Sequence, residues 1–386
     1  MTWVGPSFEF ATAGRVVFGG GRAAELRTIA AALGSRALVC TGSRPRRHGS
    51  LLSALRPAAV FEVSGEPTIA MAREAVAVAR RHSADVVVGI GGGSVLDLGK
   101  AVAMLLGNGG DALDYIEIIG RGEPITKPSL PFVAVPTTAG TGAEVTENAV
   151  LASPEHGRKA SLRSPTLLPR MALVDPLLTL SCPPGVTASS GLDALTQCLE
   201  PFVSVKATPV TDGLAREGLR RAAAGLRGAY VDGSDVAART NMSLCSLVGG
   251  MALANAKLGA VHGFAAPVGG MVSAAHGAIC AALLAPVLET NVRALRSREP
   301  GNRALDRYEE AARLLTRRPD ASIDDGVTWI RETVELLEVP TLGALGVRPE
   351  QAEEVVAKAR TASSMKGNPI ALTDQELHAI LTAAMG

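Results

Sequence analysis

The chain has 386 residues, 47% hydrophobic and 19% charged, and its 38 lysines and arginines nearly cancel 37 aspartates and glutamates to leave a formal net charge of +1. That length exceeds what one ordinary core fills, so two domains are expected. The neutral balance speaks against a nucleic-acid or membrane-surface binder, each of which needs a basic excess, and points to a small partner held in a pocket.

Five cysteines (Cys40, Cys182, Cys198, Cys245 and Cys280) are scattered without a CxxC pair, the usage of a reducing, cytoplasmic compartment in which thiols serve as small buried hydrophobes. The opening MTWVGPSFEF lacks a basic stretch followed by an apolar run, so no secretion signal is expected.

In chain order, short β-branched runs alternate with helical patterns. A strand is expected over 37–40 (ALVC), then a helix over 68–82 with alanine and valine at helical spacing. The run 85–90 (DVVVGI) has three successive valines, as in a parallel strand covered on both faces, and a helix over 94–106 follows. Strands over 132–135 and 172–174 complete a pattern of βαβ units and a parallel sheet. After Cys182-Pro183-Pro184-Gly185 the β-rich runs nearly vanish, and helices are expected over 190–203, 209–227, 235–256, 304–316, 325–338, 349–362 and 373–385. The expected organisation is an α/β nucleotide-type domain over 1–182 and a helical domain over 183–386, with the natural cleft between them. Mean hydropathy is +0.23, and residues 258–288 carry no formal charge beyond their histidines. Glycines, Pro267 and Pro286 interrupt that stretch, which reads as buried interior rather than a membrane span.

The sharpest local signal is Gly91-Gly92-Gly93-Ser94, set between the DVVVGI strand and a helix. Glycines let the backbone approach an anion and the first helical N–H groups point at it, so a phosphate site is expected there. It is neither a GxGxxG fingerprint nor a Walker loop. A second loop, PTTAGTGAE over 136–144, offers Thr137, Thr138 and Thr141 to a ribose or phosphate; equally, Thr141 and Glu144 suit the capping of a following helix. Asp193 and Gln197 lie four apart on one helix face. His262 and His276 cannot share one helix cleanly, because Pro267, Gly269 and Gly270 intervene. One carboxylate and two imidazoles from separate elements suit a divalent metal, although each histidine taken singly is more often a hydrogen-bonded core residue.

Several of these segments, in the same order, resemble the iron-containing (group III) alcohol dehydrogenase family: FEFATAGRVVFGGG, GGGSVLDLGK, PTTAGTGAEVT, ALVDPLLTLSCPP, GLDALTQCLE and GAVHGFAAPVGGMVSAAHG. The resemblance implies a Rossmann-like N-terminal domain plus an all-α C-terminal domain, the dehydroquinate-synthase-like fold. It implies an enzyme moving hydride between NAD or NADP and an alcohol or aldehyde, as a homodimer or higher oligomer. By the same resemblance Gly91, Gly92, Gly93, Ser94 and Asp97 fall on the pyrophosphate loop, Thr137, Thr138 and Thr141 on the threonine loop, and Lys159 on a cofactor-contacting lysine. The metal set falls on Asp193, Gln197, His262 and His276.

The chain departs from the family pattern at three places: Gln197 and Ala266 replace histidines, and Ala275 replaces a proline. Glutamine is a weak neutral ligand, while an Asp-His-His remnant is a normal count for catalytic zinc, so iron or zinc is expected. Ala266 removes a candidate proton relay and leaves the general acid unassigned. Gln197 and His262 are the candidate catalytic groups, the glutamine amide donating to a carbonyl oxygen. After the 37–40 strand the chain reads Thr41-Gly42-Ser43-Arg44, with Arg46 and Arg47 close by. Gly42 and Ser43 would meet the adenosine ribose, and three arginines without a carboxylate favour the 2′-phosphate of NADP over NAD. Alternatives are a metal-independent reductase of the maleylacetate-reductase kind, a non-redox enzyme like dehydroquinate synthase, and a cofactor-binding protein without catalysis.

Overall fold

A computed structural model describes residues 7–386. The chain forms two compact units, one of Thr12–Cys182 with Gly233–Ser243 and the other chiefly of Pro183–Asp232 and Leu244–Gly386.

The first unit is built on a six-stranded sheet whose neighbours all pair in parallel: β1 (Val16–Phe18), β2 (Ala37–Gly42), β3 (Ala59–Val63), β4 (Val86–Gly91), β5 (Phe132–Pro136) and β8 (Met171–Val174), in the order β1-β8-β5-β4-β2-β3. Two further strands, β6 (Asn148–Ser153) and β7 (Arg158–Arg163), form a separate antiparallel hairpin. Helices α1 (Leu26–Ala31), α2 (Gly49–Leu55), α3 (Ile69–Arg81), α4 (Gly93–Asn108) and α5 (Ala112–Tyr115) lie between the strands. The period-2 rule assigns the faces. Leu38 and Cys40 pack with α3 and α4, whereas the intervening Val39 joins Val86, Val88 and Ile90 against Leu26, Leu51 and Leu52 of α1 and α2. Both faces are therefore covered, which is why the DVVVGI strand is continuous valine and isoleucine instead of alternating.

From β2 the chain leaves in one direction to β3 and later resumes on the other side at β4, so β2 and β4 flank the switch point of the sheet. Ligands of open parallel sheets bind at the carboxyl ends of such strands. Gly42 ends β2 with Ser43 just beyond it, and Gly91 ends β4 with Gly92 and Gly93 just beyond it.

The second unit is helical: α6 (Pro184–Val203), α7 (Pro209–Val231), the end of α8 (Val236–Asn255), α9 (Ala260–Met271), α10 (His276–Arg298), α11 (Ala304–Thr316), α12 (Ile323–Leu336), α13 (Ala352–Thr361) and α14 (Asp374–Met385). Helix α6 packs against α7 and α10, and α9 packs against α10 and α13. The α10 helix is long and apolar enough to cross a membrane by length and composition, yet 72% of its most apolar window is buried inside the fold.

Several elements differ from the sequence expectation. Strands β1 and β3 and the β6–β7 hairpin were not expected, and α6 begins at Pro184, six residues before 190, because Pro184 suits the first helical position. Pro267, Gly269 and Gly270 do not separate the histidines: all three lie inside α9, and the break falls at residues 272–275.

Candidate functional site

At the end of β4, Gly92 caps α4 without a side-chain bond, and the first N–H groups of the helix have no intrahelical partner by the geometry of any helix. The glycine turn faces the threonine loop closely. A Cβ on Gly92 would stand 3.1 Å from Thr138 Oγ1, and one on Gly93 would stand 2.7 Å from Thr141 Cγ2. The Thr137 N–H donates to the Gly91 carbonyl at 2.9 Å, tying the loops at their roots. Thr141 Oγ1 accepts from the Ala143 N–H at 3.3 Å, but the short turn that follows is capped by Gly142 without a side-chain bond, and Glu144 is buried within it, so the expected capping by Thr141 and Glu144 does not form. Burial pushes the Glu144 carboxyl up to about 7 against the pull of Lys100.

Behind the turn, Lys100 is only 1% exposed. Its ammonium donates to Thr146 Oγ1 (3.0 Å) and the Asn148 carbonyl and pairs with Asp97 Oδ1 (3.0 Å), so its three donors are matched. Asp97 Oδ2 accepts from the Val150 N–H at 3.0 Å. Asp97 and Lys100 thus pin α4 to β6 and hold the threonine loop in register. Lys159, on β7, pairs with Glu66 at 3.2 Å. Arg44, Arg46 and Arg47 are exposed just beyond β2, and none takes part in an ion pair among the described residues.

The second cluster lies in the helical unit. Asp193 sits mid-way along α6, His262 in the first turn of α9, and His276 begins α10. A Cβ on Gly277 would meet the Ser189 carbonyl at 2.5 Å, so only glycine lets the start of α10 touch the α6 backbone and bring His276 to Asp193. Asp193 Oδ1 is 3.4 Å from His262 Nε2 and 3.9 Å from His276 Nε2, and the imidazole centroids are 5.4 Å apart. A fourth group joins them. Cys280, one turn after His276, places Sγ 3.5 Å from His276 Nε2 and 3.8 Å from His262 Nε2. One donor atom from each of Asp193, His262, His276 and Cys280 lies within 4.8 Å of all the others.

The cluster fits a cation. Asp193 is 0% exposed, yet neither carboxylate oxygen meets a donor in hydrogen-bond geometry, His262 Nε2 standing 3.4 Å from Oδ1, and Gln197 Oε1, one turn along the same face, is a further buried acceptor without one. Such burial is costly unless a positive centre compensates it. Oxygen, nitrogen and sulfur donors at this mutual spacing match the first shell of a single divalent ion. The histidines carry the same electrostatic preference. Burial lowers the His262 pKa, but the neighbouring Cys280, Asp193 and Glu200 side chains carry it well above the usual histidine value. His276 rises to about 9, first through its interaction with Cys280. Burial pushes Asp193 upward, and His262, His276 and Gln197 pull it below the ordinary aspartate value.

Two residues of this site were missing from the sequence reading. Cys280 was one. Glu200 is the other: its Oε2 accepts from His262 Nδ1–H at 2.7 Å and its Oε1 from the Val261 N–H at 2.7 Å. That bond holds a proton on Nδ1 and turns Nε2 toward Asp193 and Cys280, where a bound cation would displace the second proton. Glu200 follows Asp193 by two helical turns on one face, a spacing legible in GLDALTQCLE.

Residues 13–176 match the family model described as iron-containing alcohol dehydrogenase, and residues 187–385 match that of the Fe-containing alcohol dehydrogenase family, C-terminal. The 1,3-propanediol dehydrogenase of Klebsiella pneumoniae is 35% identical over 372 residues, covering 91% of this chain and 92% of that protein. A crystal structure of a 1,3-propanediol oxidoreductase superposes with a TM-score of 0.88 at 31% identity, covering 98% of this chain and 100% of that one. The sulfoacetaldehyde reductase of Bifidobacterium kashiwanohense, solved in complex with NAD+, gives a TM-score of 0.87 at 28% identity, covering 99% of both chains.

Proposed function

The chain belongs to the iron-containing alcohol dehydrogenase family, and from that membership we propose how its own residues perform the oxidoreduction of an alcohol and its aldehyde or ketone. The family uses NAD(P) and a divalent metal; the assignment of residues to each is our reading.

The dinucleotide's diphosphate would rest on the N–H groups of Gly92, Gly93 and Ser94, with Gly91 ending the strand and the Thr137, Thr138 and Thr141 loop closing over it. Any Cβ in that turn would press on Val95, Thr138 or Thr141 and push the threonine loop away from the turn. Asp97 supports the loop through Lys100, and Lys159 is placed on the hairpin side. Gly42 and Ser43 would face the adenosine ribose at the switch point, with unpaired Arg44, Arg46 and Arg47 offering a 2′-phosphate bidentate partners, which favours NADP. When bound, the nicotinamide supplies or accepts the hydride.

Asp193, His262 and His276 would hold the metal, with Gln197 the weak neighbour. A divalent ion there supplies Lewis-acid polarisation of the substrate oxygen. Glu200 keeps a proton of His262 on Nδ1, so that Nε2 is the nitrogen turned to the metal. Gln197 can donate its amide N–H to the substrate carbonyl, the role of an oxyanion donor. His276, whose side chain is 37% exposed, marks the open side of the cluster. Our reading also places the enzyme in the cytoplasm, in keeping with five free cysteines, and as a homodimer or higher oligomer.

The observation that carries the metal assignment is the fully buried Asp193 carboxylate without a donor in hydrogen-bond geometry. The test is oxidation of NADPH and NADH against a panel of short aldehydes and ketones, before and after chelation and with zinc or ferrous ion restored. Turnover lost on chelation and regained with metal, at a lower KM for NADPH, is the expected result. Undiminished turnover in metal-stripped enzyme would overturn the metal assignment, and a lower KM for NADH would overturn the coenzyme preference.

A further inference from the structure

Resting on the assignment of Asp193, His262 and His276 to a metal, we infer that Cys280 is a fourth protein ligand, bringing a thiolate to the centre. Gln197 occupies the place of a family histidine, and an amide oxygen brings neither charge nor nitrogen to replace it. Cys280 supplies a donor from a different helix. It follows His276 by one turn of α10 and therefore shares its face. It is 0% exposed, with Sγ 3.5 Å and 3.8 Å from the two Nε2 atoms.

Packing alone does not account for this thiol. Cys198 and Cys245 show what a core pair looks like here: their sulfurs face each other at 3.8 Å among apolar side chains. Cys280 instead points its sulfur at two ring nitrogens and stands within 4.8 Å of an orphaned carboxylate oxygen. A hydrogen bond from the thiol to a ring nitrogen would satisfy that nitrogen and leave Asp193 still without a donor. A cation among all four satisfies every group at once.

Charge and softness both favour coordination by the sulfur. One carboxylate and one thiolate neutralise a divalent ion, so the filled centre carries no net charge into the interior, whereas the carboxylate with a neutral amide would leave it at +1. Thiolate with imidazole suits zinc far better than oxygen-preferring ions, and with Asp-His-His-Cys filling four positions the substrate oxygen would enter as a fifth, an expansion catalytic zinc accommodates. Coordination releases the thiol proton to solvent.

The test is optical, on the full chain stripped of metal and titrated with Co2+. A thiolate on cobalt adds a charge-transfer absorption in the near ultraviolet that oxygen and nitrogen ligands do not produce. The expected result is that band growing to one equivalent of cobalt in the wild-type chain and in a Cys182→Ser control. Cys280→Ser and Cys280→Asn should bind cobalt without the band, with zinc affinity lowered at least tenfold in chelator competition. Stoichiometric cobalt without the band, or a band that survives both substitutions, overturns the Cys280 assignment and leaves the three-ligand centre intact. A folded wild-type chain that binds neither cobalt nor zinc overturns the centre itself. The wild-type spectrum decides between these outcomes even where a variant fails to fold.

Discussion

Glu200→Gln is the substitution that most directly separates a metal centre from a buried polar network. Glutamine matches the size of glutamate, so its oxygen still accepts the Val261 N–H that Glu200 Oε1 holds at 2.7 Å. Its amide nitrogen then faces His262 Nδ1 where a carboxylate oxygen stood at 2.7 Å. Two donors cannot share that contact, so the imidazole must move its proton to Nε2, where it points at Asp193 Oδ1, 3.4 Å away. The metal-free state gains a hydrogen bond it lacked, and the metal loses a ligand lone pair. Outer-sphere partners of this kind carry roughly 10–100-fold in metal affinity, or about 1.4–2.8 kcal/mol. The assay is zinc and cobalt affinity by chelator competition, with kcat/KM measured at limiting and at saturating metal. The variant should fall 10–100-fold in affinity and recover much of its rate when metal is raised. A Glu200→Gln chain that melts like the wild type and binds metal equally tightly would refute the tautomer argument, and with it the role given to His262 Nε2.

Two further outcomes follow from the first unit. Gly93→Ala puts a methyl 2.7 Å from Thr141 Cγ2 and so displaces the threonine loop; KM for the coenzyme should rise about tenfold or more, about 1.4 kcal/mol, in the chain that remains folded, and steady-state kinetics with varied NADPH and NADH would show it. Glu144, with a carboxyl raised from 4.5 to about 7 by burial, binds its proton more tightly folded than unfolded, so its stabilising effect is complete below about 4.5 and lost as pH rises through about 7. Denaturant titrations of wild type and Glu144→Gln from pH 4.5 to 8.5 should diverge by about 3 kcal/mol at the upper end, at 1.36 kcal/mol per pKa unit, the glutamine variant being the less sensitive.

The legible parts of the fold were those in which one physical signal dominates. The 86–91 strand is buried at every position, so no face had to be guessed. The α11 helix spans 304–316 as its apolar spacing indicates. Strand β3 carries a weak strand signal because it lies at the sheet edge and exposes Val60 and Glu62, and the β6–β7 hairpin because its buried positions, Ala149, Leu151, Ser153, Ala160 and Leu162, include no β-branched or aromatic residue. The break between α9 and α10 was misplaced for a different reason. Proline and glycine were given priority as helix breakers, yet Pro267 costs one backbone bond inside α9 and is tolerated. The true break, at residues 272–275, contains neither residue. It is imposed from outside, by the close approach of Gly277 to the Ser189 carbonyl that sets His276 against Asp193.

The same distinction between local and imposed signals explains the site. Asp193, His262 and His276 stood out because charge and imidazole are rare in so apolar a stretch. Cys280 did not, because cysteine in a reducing compartment is read by default as a small hydrophobe, and for Cys198 and Cys245 that reading agrees with their packing. What distinguishes Cys280 is its position one turn after a histidine at the head of α10, and that spacing has meaning only once the helix is known to begin at His276. A helix running unbroken from 260 would have spread His262 and His276 along one axis, whereas the break brings their rings to 5.4 Å and turns the 276/280 pair toward Asp193. The chemistry of the centre therefore follows from where α10 starts. Substitutions at Gly277 should disturb metal binding through that start, although glycine itself offers no ligand.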